Sequence, residues 1–153
     1  MGILPIPTLV FLFSFLSQPI PTFGSPSNET DQLAKEALDV GLTSAQRMVN
    51  YLSSIALNDC IEAFGTAAGL IRNSLEQMLL LRSPSSPSFR PEINNVLTWI
   101  TGAIDDGNTC TEGFKEVAEG PLKTDISNRA EDYKKVIENA LALVRKVAEK
   151  QAP

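Results

Sequence analysis

Between Asp31 and Leu57 the apolar residues Leu33, Ala37, Val40, Met48, Leu52 and Ile55 recur mostly at steps of three and four, the period of a helix with one buried face. Gly41 lies within this stripe and weakens the helix at its middle. A second stripe, Cys60, Phe64, Ala67, Ile71, Leu75 and Met78, leaves Arg72, Glu76 and Gln77 turned away from it, as in an amphipathic helix. Ser83 to Pro91 then holds three prolines and four serines in nine residues, a composition that ends a helix and predicts a short extended connector. Beyond it Ile93, Val96, Leu97, Ile100, Ala103 and Ile104 form a third stripe, kept in phase by Gly107, Cys110 and Phe114. Asp105, Asp106, Gly107 and Asn108 are poor helix formers, so an interruption is expected there. Gly120 and Pro121 break the chain. The last stripe is Ile126, Ala130, Tyr133, Ile137, Ala140, Val144 and Val147, with Thr124 or Asp125 placed to cap its start. No stretch sustains an alternation of period two. The expectation is an all-α fold, an antiparallel up-and-down four-helix bundle with short connections.

Ahead of these helices, residues 1–24 contain no charged side chain, and Leu9 to Leu16 is an almost unbroken apolar run. That is the pattern of the hydrophobic segment of a secretory leader. Pro5, Pro7, Pro19 and Pro21 bracket the run, leaving it far below the roughly 20 residues of a membrane-spanning helix. Cleavage is expected after Gly24, with a cut after Ser17 as the alternative, which divides the chain into a leader over 1–24 and a bundle over 25–153. No membrane contact is expected of the mature part. Asn28-Glu29-Thr30, just past the cut, is an N-glycosylation sequon on Asn28.

Charge and composition narrow the chemistry. A length of 153 residues predicts a single domain. The 13 Lys and Arg against 18 Asp and Glu give a net charge of −5, all of it beyond the leader, which argues against a nucleic-acid partner. No histidine is present. That removes the commonest general base, the commonest metal ligand and every Ser-His or Cys-His nucleophile arrangement. Asp105 and Asp106 point in different directions as neighbours on a helix and read as a solvated turn, not an acid–base pair.

Cys60 and Cys110 are the two cysteines of the chain, an even count that an oxidising compartment pairs, the alternative being two buried thiols. Cys60 lies 21 residues before Leu81 and Cys110 lies 19 residues after Pro91, so a hairpin turning at the connector brings them level at its open end. Closing a loop of that length stabilises by about 4 kcal/mol in the chain-entropy model. Two cysteines without histidine supply at most half a zinc sphere, so no metal is expected.

The Asp59-Cys60 opening of the second helix, within Ala56 to Phe64, and Thr98-Trp99 followed by Asn108-Thr109-Cys110 and Gly113-Phe114, within Val96 to Phe114, resemble the plant invertase and pectin methylesterase inhibitor family in order and spacing. Leu33 to Leu38 resembles the start of the family's first bundle helix and Asn139 to Val144 its last, so the similarity covers residues 31–148. Trp99 and Glu112-Gly113-Phe114 are more similar to the inhibitor-like pro-regions of plant pectin methylesterases than to invertase inhibitors. The resemblance implies a secreted four-helix bundle of the plant cell wall, with one disulfide between its second and third helices, here Cys60 to Cys110. It implies an inhibitor without enzymatic activity or cofactor, which covers the substrate cleft of pectin methylesterase, with invertase as the alternative partner. One departure stands out. Family members open with a small helical hairpin carrying two further cysteines, and no cysteine precedes Cys60 here; a truncated, non-inhibitory bundle that binds another wall partner or inhibits nothing is therefore a third reading.

Three further features are read from the residues. Trp99 lies at the edge of the third stripe and is assigned to core packing in preference to a partner anchor. Pro87-Ser88-Phe89 resembles a Pro-Lys-Phe enzyme-binding element of some invertase inhibitors, with Ser88 where the lysine stands, and is read as ordinary linker. Lys134-Lys135 and Arg145-Lys146 alternate with acidic residues and form the solvated face of the last helix.

Overall fold

The structure is a computed structural model and describes residues 26–150 apart from 56 and 116; the expected leader lies outside them. Four helices follow one another: α1 (Pro26–Ser54), α2 (Asn58–Leu80), α3 (Phe89–Gly113) and α4 (Pro121–Glu149). No strand occurs among the described residues. Each helix packs on its two neighbours around a square, α1 on α2 and α4, and α3 on α2 and α4, and large side chains meet across the diagonal, as Phe64 of α2 does with Tyr133 of α4. This is the antiparallel up-and-down bundle expected from the stripes. At one end Lys150 Nζ donates to Asp31 Oδ1 at 2.7 Å, tying the last residues of the bundle to the start of α1.

Local signals explain where the helices begin and end. Proline at the first helical position needs no N–H partner, and Pro121 starts α4 directly after Gly120. Thr124 and Asp125 are therefore inside the helix and do not cap it; the Thr124 hydroxyl donates back to the Gly120 carbonyl at 3.2 Å. Pro91 likewise sits in the first turn of α3, so the connector ends before it. The connector is also not extended. It folds into tight turns closed by the Ser86 N–H on the Ser83 carbonyl at 2.8 Å.

Two further expectations are corrected by packing. α3 runs unbroken through Asp105 to Asn108, because Gly107 is buried against the ring of Tyr133 while Asp105 is exposed and Asp106 and Asn108 half-buried at the margin; tertiary contact outweighs weak local propensity. In α1 the buried positions are Ala34, Leu38, Ala45, Met48 and Leu52, whereas Leu33 and Val40 are 46% and 54% exposed. The true stripe uses small side chains, Ala34, Gly41 and Ala45, that let α2 and α4 approach closely. A β-carbon on Gly41 would lie 2.5 Å from Ile137 Cδ1 of α4.

The stripes of α2, α3 and α4 form the core as expected, with Leu75, Leu97, Ile104 and Phe114 half-buried at its margin and Ser74 and Leu141 joining it. Its widest layer sets Phe64 against Tyr133 edge to face, ring centres 5.0 Å apart. The Tyr133 hydroxyl is buried and donates to the Ala103 carbonyl at 2.8 Å. No described helix is long and apolar enough to cross a membrane.

Candidate functional site

The disulfide end of the bundle carries a cleft. Cys60 opens α2 and Cys110 lies in the last turn of α3; their Sγ atoms are bonded at 2.07 Å with the Cα atoms 4.7 Å apart. Both cysteines are buried, so the bond acts as a fixed tie between two helices. Beside it a cleft of about 440 Å³ is lined by Leu57, Asp59, Thr109, Gly113, Phe114 and Val117.

The loop between α3 and α4 is held over this end by one lysine. Lys123 Nζ donates to the Val117 carbonyl at 2.9 Å, the Lys115 carbonyl at 3.2 Å and Glu119 Oε1 at 2.7 Å, and its side chain is only 16% exposed. A cation in the first turn of a helix opposes the macrodipole. That misplaced charge is the signal in the sequence that a specific partner waits there, and sequence reasoning passed over it.

Asp106 is the other feature the sequence underrated. Its Oδ2 is buried without a hydrogen-bond partner among the described residues. Burial pushes its carboxyl above the usual carboxylate range, and the neighbouring charge of Asp105 pushes it further. Asp105 itself is exposed, so the two carboxylates do not converge on one point. Tyr133 is held strongly protonated by burial and by the nearby Asp106 charge, and its proton is committed to a backbone carbonyl. Among the described residues no three His, Cys, Asp or Glu side chains cluster as metal ligands. The arrangement offers surface and rigidity.

The remaining singled-out residues fall as follows. Trp99 is half-buried and belongs neither to the core nor to the side chains packed on it, which corrects its assignment to core packing: its position on α3 lies one step beside Ile100, off the buried stripe. Phe89 is not linker either; it is buried and opens α3. Lys135, Arg145 and Lys146 are exposed and Lys134 half-buried, on the outer side of α4. The backbone of Asn28 lies in the first turn of α1, and its side chain lies outside the described ones.

The sequence model of the plant invertase/pectin methylesterase inhibitor family matches residues 13–143. The chain belongs to that family. Its members are described as inhibitors, and the chain is accordingly not an enzyme. Pectinesterase inhibitor 9 of Arabidopsis thaliana is 29% identical over 82% of this chain and 69% of its own length. Pectinesterase inhibitor 3 of the same plant is 28% identical over 76% of this chain and 64% of its own length. The crystal structure of a pectin methylesterase inhibitor from Arabidopsis thaliana matches with a TM-score of 0.65 at 19% identity, covering 82% of this chain and 81% of that one, which shows a common fold.

Proposed function

We propose that this chain is a secreted protein of the plant cell wall that inhibits pectin methylesterase by covering its substrate cleft. The observation that carries the reading is family membership together with relatives named as pectinesterase inhibitors. Physically, such inhibition needs a rigid surface and no catalytic group. The α2 and α3 pair, tied at one end by Cys60 and Cys110, is about 35 Å long and presents a face on the order of the 800 Å² per partner that a stable complex buries. Residues 1–24 serve as the leader and Asn28 carries an N-glycan in this reading. Inhibition by occlusion also fits a buried tyrosine whose proton is committed to a backbone carbonyl.

The test is dose-dependent inhibition of a plant pectin methylesterase by the oxidised mature protein, with a cell-wall invertase assayed beside it. Loss of esterase activity alone is expected. Loss of invertase activity alone transfers the chain to the alternative partner named by the family. Silence in both assays from a helical, disulfide-bonded sample overturns the inhibitor reading.

A further inference from the structure

The connector between α2 and α3 repeats one tripeptide: Ser83-Pro84-Ser85 is followed at once by Ser86-Pro87-Ser88. Each copy folds alike. The Ser86 N–H donates to the Ser83 carbonyl at 2.8 Å and the Phe89 N–H to the Ser86 carbonyl at 3.1 Å, giving two successive turns with proline second in each, where its fixed φ suits the turn. In each copy the outer hydroxyls meet, Ser83 Oγ with Ser85 Oγ at 3.0 Å and Ser86 Oγ with Ser88 Oγ at 2.9 Å.

The surroundings of the two copies differ. The second is built into the start of α3: Ser86 and Ser88 are half-buried, Ser88 Oγ accepts from Arg82 Nη1 at 3.3 Å, and the Ser88 carbonyl accepts the Glu92 N–H at 3.1 Å. The first faces outward. Ser83 and Ser85 are exposed, and their hydroxyls bond each other and no other described side chain. Turn chemistry accounts for the proline and for serine at the first position, yet the Ser85 hydroxyl meets only that of Ser83, itself exposed.

From this difference we infer that Ser83 and Ser85 are acceptors for O-linked glycosylation, while Ser86 and Ser88 are not. Both are exposed on non-helical backbone, flank a proline and lie in the kind of serine- and proline-rich stretch that carries O-glycans. In the transfer the serine Oγ bonds to the anomeric carbon of a nucleoside-diphosphate sugar as the bond from that carbon to the diphosphate breaks. The nucleoside diphosphate leaves with the electron pair, and the hydroxyl proton passes to a base of the transferase. The connector lies at the end of the bundle opposite the disulfide, the same end at which α1 begins. Sugars placed there extend away from the long helix faces and leave them open to a partner.

The inference rests on the reading of the chain as secreted, and the experiment separates the two. The full chain is expressed in plant suspension cells with its own residues 1–24 and, in parallel, with those residues replaced by a proven secretory leader. After enzymatic removal of N-glycans, the tryptic peptide that begins at Ser83 is weighed by mass spectrometry. Whole pentose or hexose increments are expected on it in both forms, lost in S83A/S85A and retained in S86A/S88A. Increments only with the replaced leader support the acceptor site and overturn the secretion reading. An unmodified peptide from protein recovered in the medium, or increments that survive in S83A/S85A, overturns the acceptor site.

Discussion

Gly107 of α3 and Tyr133 of α4 are in contact so close that a β-carbon on the glycine would lie 2.7 Å from Cε1 of the tyrosine ring. The ring is held on two sides: its hydroxyl is bonded to the Ala103 carbonyl and it packs edge to face with Phe64. Gly107→Ala is therefore expected to lower stability by about 1–2 kcal/mol, the strain of overpacking exceeding the gain in helix propensity. Gly41→Ala meets only the flexible tip of Ile137 and should lose clearly less. Urea unfolding of the two variants decides it, and equal losses would show that the Tyr133 ring yields as readily as the isoleucine.

Replacing both cysteines, C60S/C110S, releases a loop of 50 residues and should reduce stability by about 4 kcal/mol. The helical circular dichroism signal should survive below the lowered melting temperature. The oxidised wild type should titrate no thiol; two reactive thiols in the secreted protein would contradict the tie between α2 and α3.

Lys123→Met removes the donor to two backbone carbonyls in the loop after α3. A loss of about 1–2 kcal/mol is expected, together with faster amide hydrogen exchange over residues 114–121. Lys135→Met, which breaks an exposed pair with Asp132 at 3.6 Å, should change stability by less than about 0.5 kcal/mol. If both variants behave alike, the lysine is not what holds the loop.

Asp106 predicts a pH dependence of known sign. Its folded carboxyl titrates above the ordinary value, first through burial and then through Asp105. Its contribution to stability is thus complete below the ordinary carboxylate pKa and lost as the pH rises through the raised one. Asp106→Asn should leave stability similar at low pH and confer a growing advantage over wild type toward neutrality, read as melting temperature across pH 3 to 7. A gap that is constant over that range would rule out Asp106 as its source.

Asp125 acts in the opposite direction. The Tyr51 hydroxyl, and then Arg129, hold its carboxyl below the usual range, with the Arg129 guanidinium stacked 4.1 Å over the Tyr51 ring. Its small, solvent-screened contribution is present above the ordinary pKa and lost as the pH falls. Asp125→Asn should therefore lower the melting temperature slightly toward neutral pH and leave it unchanged in acid, where the wild-type carboxyl is protonated; a loss of equal size at both ends would rule out Asp125 titration as its source.

The four helices, the place of the connector and the pairing of Cys60 with Cys110 were legible in the chain, because period, proline and cysteine spacing act over one or two turns or one hairpin; that the connector folds into tight turns and yields Phe89 to Pro91 to α3 was not. The family, too, was legible, since its signature lies in residues contiguous around the two cysteines. What only the tertiary structure decided are relationships between helices. Leu33 and Val40 carry the hydrophobicity of a core position, yet the buried side of α1 is lined by Ala34, Gly41 and Ala45, since close approach of α2 and α4 rewards small side chains over large ones. Gly107 reads locally as a helix breaker and becomes the seat of the Tyr133 ring. Asp106 reads as a turn residue and becomes a half-buried carboxylate. In each case local propensity differs among alternatives by about 1 kcal/mol, and the contact that outweighs it comes from a helix whose position the local sequence does not contain.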